Sequence, residues 1–212
     1  MTFSPLTHRS VTTRNYSSRH GKKISRLIIH YTAGGTDASN LDLLANSHTY
    51  GRQISATYLL QRDGRLIGIV PEQHRPWTTG SRTADEPSIT VETVIAAQGS
   101  ATTQQMHTLA HLAADLSTRY NWGKLTRKNV RGHREFAHTQ CPGPYIWPRI
   151  TNIIAHANTI RTRSTQPLNH ENINTLAQAV IQGNYGNGKE RKRRLGTNYT
   201  AIQQRVNEIL NG

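Results

Sequence analysis

The chain has 212 residues, enough for one ordinary domain and a small second module. Lys and Arg number 26 against 12 Asp and Glu, giving a formal net charge of +14. The expected partner is therefore a polyanion, either nucleic acid or an anionic bacterial wall, and charge alone does not choose between them. No run approaches the roughly 18 apolar residues of a membrane span, and a single cysteine, Cys141, excludes an internal disulfide framework.

The start, Met1-Thr2-Phe3-Ser4-Pro5, has neither a basic segment nor an apolar one behind it, so no secretory signal is expected. Arg26–Thr32 (RLIIHYT) reads as a buried strand with its apolar run ending at His30. Ala33–Thr36 reads as a loop and Leu41–His48 as a short helix. Ala56–Gln61 and Leu66–Val70 flank the turn pair Asp63-Gly64 and predict a hairpin. Pro71–Glu86 reads as loop, and Ser88–Val94 as a further strand.

Thr102 and Gln105 have capping-box spacing, and Met106, Leu109, Ala113, Leu116 and Tyr120 follow on one face of the predicted helix. Asn129–His133 leads into a loop ending in Cys141-Pro142-Gly143, and Trp147–Ile160 reads as a closing helix. The polar, Pro167-containing stretch 161–172 reads as a linker. Beyond it, Leu176, Val180 and Ile181 lie on one helical face, and Ile202, Val206, Ile209 and Leu210 on another. With a Gly183–Gly188 turn between them, about forty residues suffice for three helices.

His30, His133 and Cys141 could together hold zinc. Two imidazoles and a thiolate leave a fourth position for water, whose pKa zinc lowers to about 7. Spacing alone leaves the alternative open: a buried thiol acting as a small hydrophobe and a strand-end histidine that is merely hydrogen-bonded. His107 and His111 share a helical face four residues apart. Thr108 stands where a helical metalloprotease motif needs Glu, so these two read as exposed helix residues.

Five segments, in order, resemble one family. They are LIIHYTAGG (27–35), ISATYLLQRDGRLIGIVPE (54–72), PWTTGS (76–81), SITVETV (88–94) and GHREFAHTQCPG (132–143). Residues 1–160 resemble the N-acetylmuramoyl-L-alanine amidases of the type-2 amidase and peptidoglycan recognition protein superfamily. The resemblance implies an α/β fold, with a central mixed β-sheet flanked by helices. It implies one zinc ion on His30, His133 and Cys141, and hydrolysis of the bond between N-acetylmuramic acid and L-alanine. It further implies Glu92 as general base, Tyr58 near the zinc water and Thr139 on the oxyanion. Trp77, Thr57 and Thr78 would line the substrate groove; many relatives carry His where Thr57 and Thr78 stand.

Residues 173–211, through the NYGNG turn, the basic ERKRRL stretch and the amphipathic last helix, resemble a CW_7 wall-binding repeat. This segment is expected to be a small three-helix module. The layout implies a phage endolysin that stays in the host cytoplasm until released through a holin pore and then acts on peptidoglycan. A bacterial autolysin and a non-catalytic peptidoglycan-binding protein are the alternatives. Nucleic acid is not the expected partner, because no RNA-recognition signature or zinc-finger spacing accompanies the charge.

Overall fold

The computed structural model describes residues 2–165 and 170–211. They fall into two compact units, Met1–Arg163 and Ser164–Gly212. The first contains strands β1 (Thr7–Ser10), β2 (Tyr16–Ser18), β3 (Arg26–Ala33), β4 (Tyr58–Leu60), β5 (Leu66–Gly68), β6 (His74–Pro76), β7 (Ser88–Ala96) and β8 (Val130–Gly132). Six of them form one mixed sheet in the order β1-β5-β4-β7-β3-β8, while β2 and β6 make a separate antiparallel pair. β4, β7, β3 and β8 run parallel to one another, and β5 runs antiparallel to β4.

β3 lies between β7 and the edge strand β8 and is covered on both faces, which is why its sequence is a continuous apolar run: Leu27, Ile28 and Ile29 are fully buried. Successive side chains of a strand point to opposite faces. One face carries Leu27, Ile29, Tyr58, Val91 and Ile95, packed with Leu109, Ala113 and Leu116 of the helix Thr103–Arg119 and with Ile153 and Ala157 of the helix Ile150–Thr165. The other carries Leu59, Ile67 and Val94, packed with Leu44 of the helix Asp37–Asn46.

Helices α1 (Asp37–Asn46), α2 (Arg82–Asp85), α3 (Thr103–Arg119), α4 (Gly143–Ile146) and α5 (Ile150–Thr165) complete the unit. α3 begins with the expected capping box: Gln105 N–H donates to Thr102 Oγ1 at 3.1 Å, and Thr102 N–H to Gln105 Oε1 at 2.9 Å. Such a cap contributes about 1 kcal/mol. The hairpin turns at Gly64, where φ is +86° and a Cβ would lie 2.8 Å from Gln104.

Several boundaries differ from expectation. α1 begins at Asp37, because Thr36 and Ser39 form a second capping box, one with Ser in the place of the usual Glu or Gln. The stretch 71–86 contains β6 and α2, elements of three and four residues that are too short to show periodicity. α5 continues to Thr165, through five residues expected to be linker, since polar Arg and Thr residues do not by themselves break a helix. Residues 166–169, with the expected linker Pro167, lie outside the described residues.

The second unit has helices α6 (His170–Ile181), α7 (Gly188–Leu195) and α8 (Tyr199–Asn211). Its core is Ala177, Val180, Leu195, Ile202 and Val206, with Leu176 and Ile209 packed against it. Ile181 and Leu210, expected on the apolar faces, are exposed, because each sits at the edge of its helical stripe beside a better-placed Val180 or Val206.

Candidate active site

Sheet register brings the site together. His30 is paired with Glu92 across β3 and β7, and Ile29 with Gly132 across β3 and β8. His133, the residue after Gly132, therefore emerges beside His30 at the carboxyl ends of neighbouring parallel strands, the usual place for a site in an open α/β sheet. The two imidazole centres are 4.4 Å apart.

Two glycines allow the returning loop to close on this edge. A Cβ at Gly132 would meet Pro142 at 2.8 Å, and one at Gly143 would meet the Tyr31 ring at 2.5 Å. Arg134 N–H donates to the Cys141 carbonyl at 2.9 Å, and Cys141 N–H to Thr139 Oγ1 at 3.2 Å. The result is that donor atoms of His30, His133 and Cys141 lie within 4.8 Å of one another.

The electrostatics suit a cation. His30 Nε2 is buried and has no hydrogen-bond partner, a state that costs about 1–3 kcal/mol unless something else fills the lone pair. Thr79 carbonyl lies 3.2 Å from His133 Nε2; since a carbonyl only accepts, Nε2 carries the proton and Nδ1 is left as a donor to metal. Burial lowers the pKa of both histidines, and the neighbouring His133 lowers that of His30 further, so both rings stay neutral as ligation requires. Burial and nearby Glu92 raise the Cys141 thiol well above its ordinary value, while Arg134 opposes them; a bound cation would favour the thiolate outright. These residues fit a zinc ion.

Glu92 stands next to the cluster. Its Oε1 is 3.7 Å from His30 Nδ1, and its buried Oε2 has no partner. Burial pushes its carboxyl up to about 7. A carboxylate poised there suits proton transfer at neutral pH.

Tyr58 is placed elsewhere. It pairs with Val91, one residue out of step with Glu92, so it points to the opposite face of the sheet. Its hydroxyl is buried, donating to Glu72 Oε1 at 2.5 Å and accepting from Ser4 N–H at 2.7 Å. The expected position beside the zinc water is therefore corrected. Thr57 is on the metal side but is fully buried, with its Oγ1 accepting from Thr90 N–H at 3.2 Å, so it does not line a groove. Trp77 and Thr78 do: they border a shallow groove of about 370 Å³ together with Gln53, Ile54, Arg75 and Gly80. Trp77 Nε1–H donates to Ser17 Oγ at 3.1 Å, which fixes the indole at the groove wall.

Three participants were not evident from sequence. Asp85 accepts from the backbone of Thr78 and of Thr79, each at 3.1 Å, and so sets the carbonyl that holds His133. Arg134 lies over the Trp147 ring at 5.0 Å and lines a second concavity with His138, Thr139 and Gln140. Its place directly after His133 was the available signal. Tyr31, next to His30, supplies a backbone hydrogen bond to the Cys141 sulfur.

The geometry agrees with what this chain resembles. The fold matches that of AmpD, solved as a selenomethionine derivative, with a TM-score of 0.59 at 23% identity over 72% of this chain and 99% of that one. It matches the Ph2119 endolysin from the Thermus scotoductus MAT2119 bacteriophage Ph2119, with a TM-score of 0.54 at 24% identity over 68% and 98%. Drosophila peptidoglycan recognition protein SD gives 0.54 at 17% identity over 66% and 92%. At these identities the likeness is one of fold. No curated protein matches. A CW_7 repeat matches residues 174–210. The family described as N-acetylmuramoyl-L-alanine amidase matches residues 20–144, more than half of the chain, and the chain belongs to that family of peptidoglycan hydrolases.

Proposed function

We propose that this protein is a zinc-dependent endolysin that hydrolyses the amide between the lactyl group of N-acetylmuramic acid and L-alanine. The observation that carries this reading is the convergence of His30, His133 and Cys141 donor atoms within 4.8 Å of one another. His30, His133 and Cys141 would hold one Zn2+, which when bound supplies Lewis acidity to polarise a carbonyl and acidify water.

Glu92 takes the proton from the attacking water and returns it to the leaving L-alanine nitrogen. Thr139 Oγ1 accepts from the Cys141 backbone and keeps its own hydrogen to donate to the developing oxyanion. Trp77 and Thr78 orient the glycopeptide along the groove. Amide hydrolysis is slow unaided, so these groups share the lowering of a large barrier.

The CW_7 repeat supports retention on the cell wall, with the net charge of +14 adding salt-sensitive attraction to anionic polymers. No helix among the described residues is long and apolar enough to cross a membrane, and release through a holin pore is the route proposed.

The test is digestion of purified Gram-positive peptidoglycan, with and without a chelator. New L-alanine amino termini, lost with chelator and restored by Zn2+, support the reading. New reducing sugar ends without alanine termini would replace it with a glycosidase. Neither product, from protein that still sediments with the wall, would leave a binding protein.

A further inference from the structure

On the opposite side of the sheet from Glu92 and His30, three exposed histidines gather. His107 and His111 lie one turn apart on α3, where side chains four residues apart share a face. His156 reaches the same place from α5. Its ring centre is 5.4 Å from that of His107 and 6.3 Å from that of His111, edge-on to both.

Those spacings are close to what shared ligation demands. A metal about 2.0 Å from an imidazole nitrogen lies about 3.2 Å from the ring centre, so tetrahedral geometry sets two ring centres about 5 Å apart. The helices beneath are fixed, because Leu109, Leu112, Ile153 and Ala157 are buried in one core. Desolvation and the two neighbouring rings also lower the pKa of His111, which keeps its lone pair available. Among the described residues, only His30, His133 and Cys141 already converge their donor atoms within 4.8 Å. The surface rings need a turn about their side-chain torsions, which exposed residues make in picoseconds to nanoseconds.

We propose that His107, His111 and His156 form a second, all-imidazole metal site that takes an imidazole-preferring divalent ion such as Zn2+, Ni2+ or Cu2+ and clasps α3 to α5. Three nitrogen donors without a thiolate or carboxylate select such ions over Mg2+ or Ca2+. An ion that binds only the folded chain also stabilises it. The site is independent of the amidase reading, since no residue is shared.

The experiment is equilibrium dialysis of the full chain against micromolar Zn2+, with metal counted per chain for the wild type and for His107→Asn, His111→Asn and His156→Asn. The expected result is two ions for the wild type and one for each variant, with unchanged amidase activity and a smaller Zn2+-induced rise in melting temperature than the wild type shows. Co2+ titration assigns the ions: the thiolate charge-transfer band belongs to Cys141, and the second equivalent adds only ligand-field bands. A wild type whose only bound Co2+ carries the thiolate band, a non-thiolate ion that persists in all three variants, or a second equivalent that adds thiolate intensity would each overturn the proposal.

Discussion

Two carboxylates in the first unit have opposite surroundings. Glu72 is fully buried and saturated: it accepts from Tyr58 at 2.5 Å, from Tyr120 at 2.6 Å, and from both terminal nitrogens of Arg119 at 2.6 and 2.7 Å. Glu92 has a buried oxygen with no partner, and the imidazole beside it has an orphaned nitrogen. A buried polar group that is fully hydrogen-bonded holds a fold together. One left short carries a cost that a structure retains when something outside the chain, a metal or a substrate, completes the bonding. Glu72 ties the N-terminal segment, through Tyr58 and Ser4, to α3. Glu92 stands beside the His30, His133 and Cys141 cluster.

The sharpest way to break this contrast is Cys141→Ser. Serine is a poor zinc ligand, so the variant should lose one zinc per chain and its amidase activity, as read by metal analysis and alanine-terminus release. Glu92→Gln comes next. It keeps the ligand set, so zinc content should hold, while activity falls by about 10²–10⁴-fold. Urea titration should show no loss of stability, because a carboxylate with one buried, unpartnered oxygen is being replaced by a neutral amide.

Glu72→Gln should do the reverse. It removes one of the two carboxylates on the Arg119 guanidinium, which keeps Asp115, and weakens four charge-assisted hydrogen bonds, so it should cost about 3 kcal/mol in unfolding free energy. The rate per folded molecule should stay near that of the wild type. The smallest effect belongs to Tyr58→Phe, which leaves Ser4 N–H without its acceptor and should cost about 1–3 kcal/mol. Zinc content and turnover should be unchanged, contrary to what the family resemblance implied for this residue.

That last case shows where sequence stops. His30, His133 and Cys141 could be picked out as a candidate set because each sits in a short segment with its own signature, a buried run, a Gly-His step and a Cys-Pro-Gly turn; Glu92 came from the family resemblance. Tyr58 sits in an equally clear strand. Its side, however, depends on the register between β4 and β7, where one residue's shift exchanges the faces. Thr57 failed for a related reason: it has the right face but is sealed by Thr90. The α3 cap was readable from Thr102 and Gln105 alone, since both halves of the motif are local. Asp85 was not, because its work is done through backbone N–H groups that no residue pattern announces.

The most direct test compares the two sides of the sheet in one assay. Zinc-loaded wild type, Glu92→Gln and Tyr58→Phe are incubated with purified peptidoglycan, and the rate at which L-alanine amino termini appear is measured at equal folded concentration. The account predicts that Tyr58→Phe cleaves like the wild type and that Glu92→Gln, with its zinc retained, is nearly inactive. An active Glu92→Gln, or a folded and zinc-loaded Tyr58→Phe that does not cleave, would contradict it.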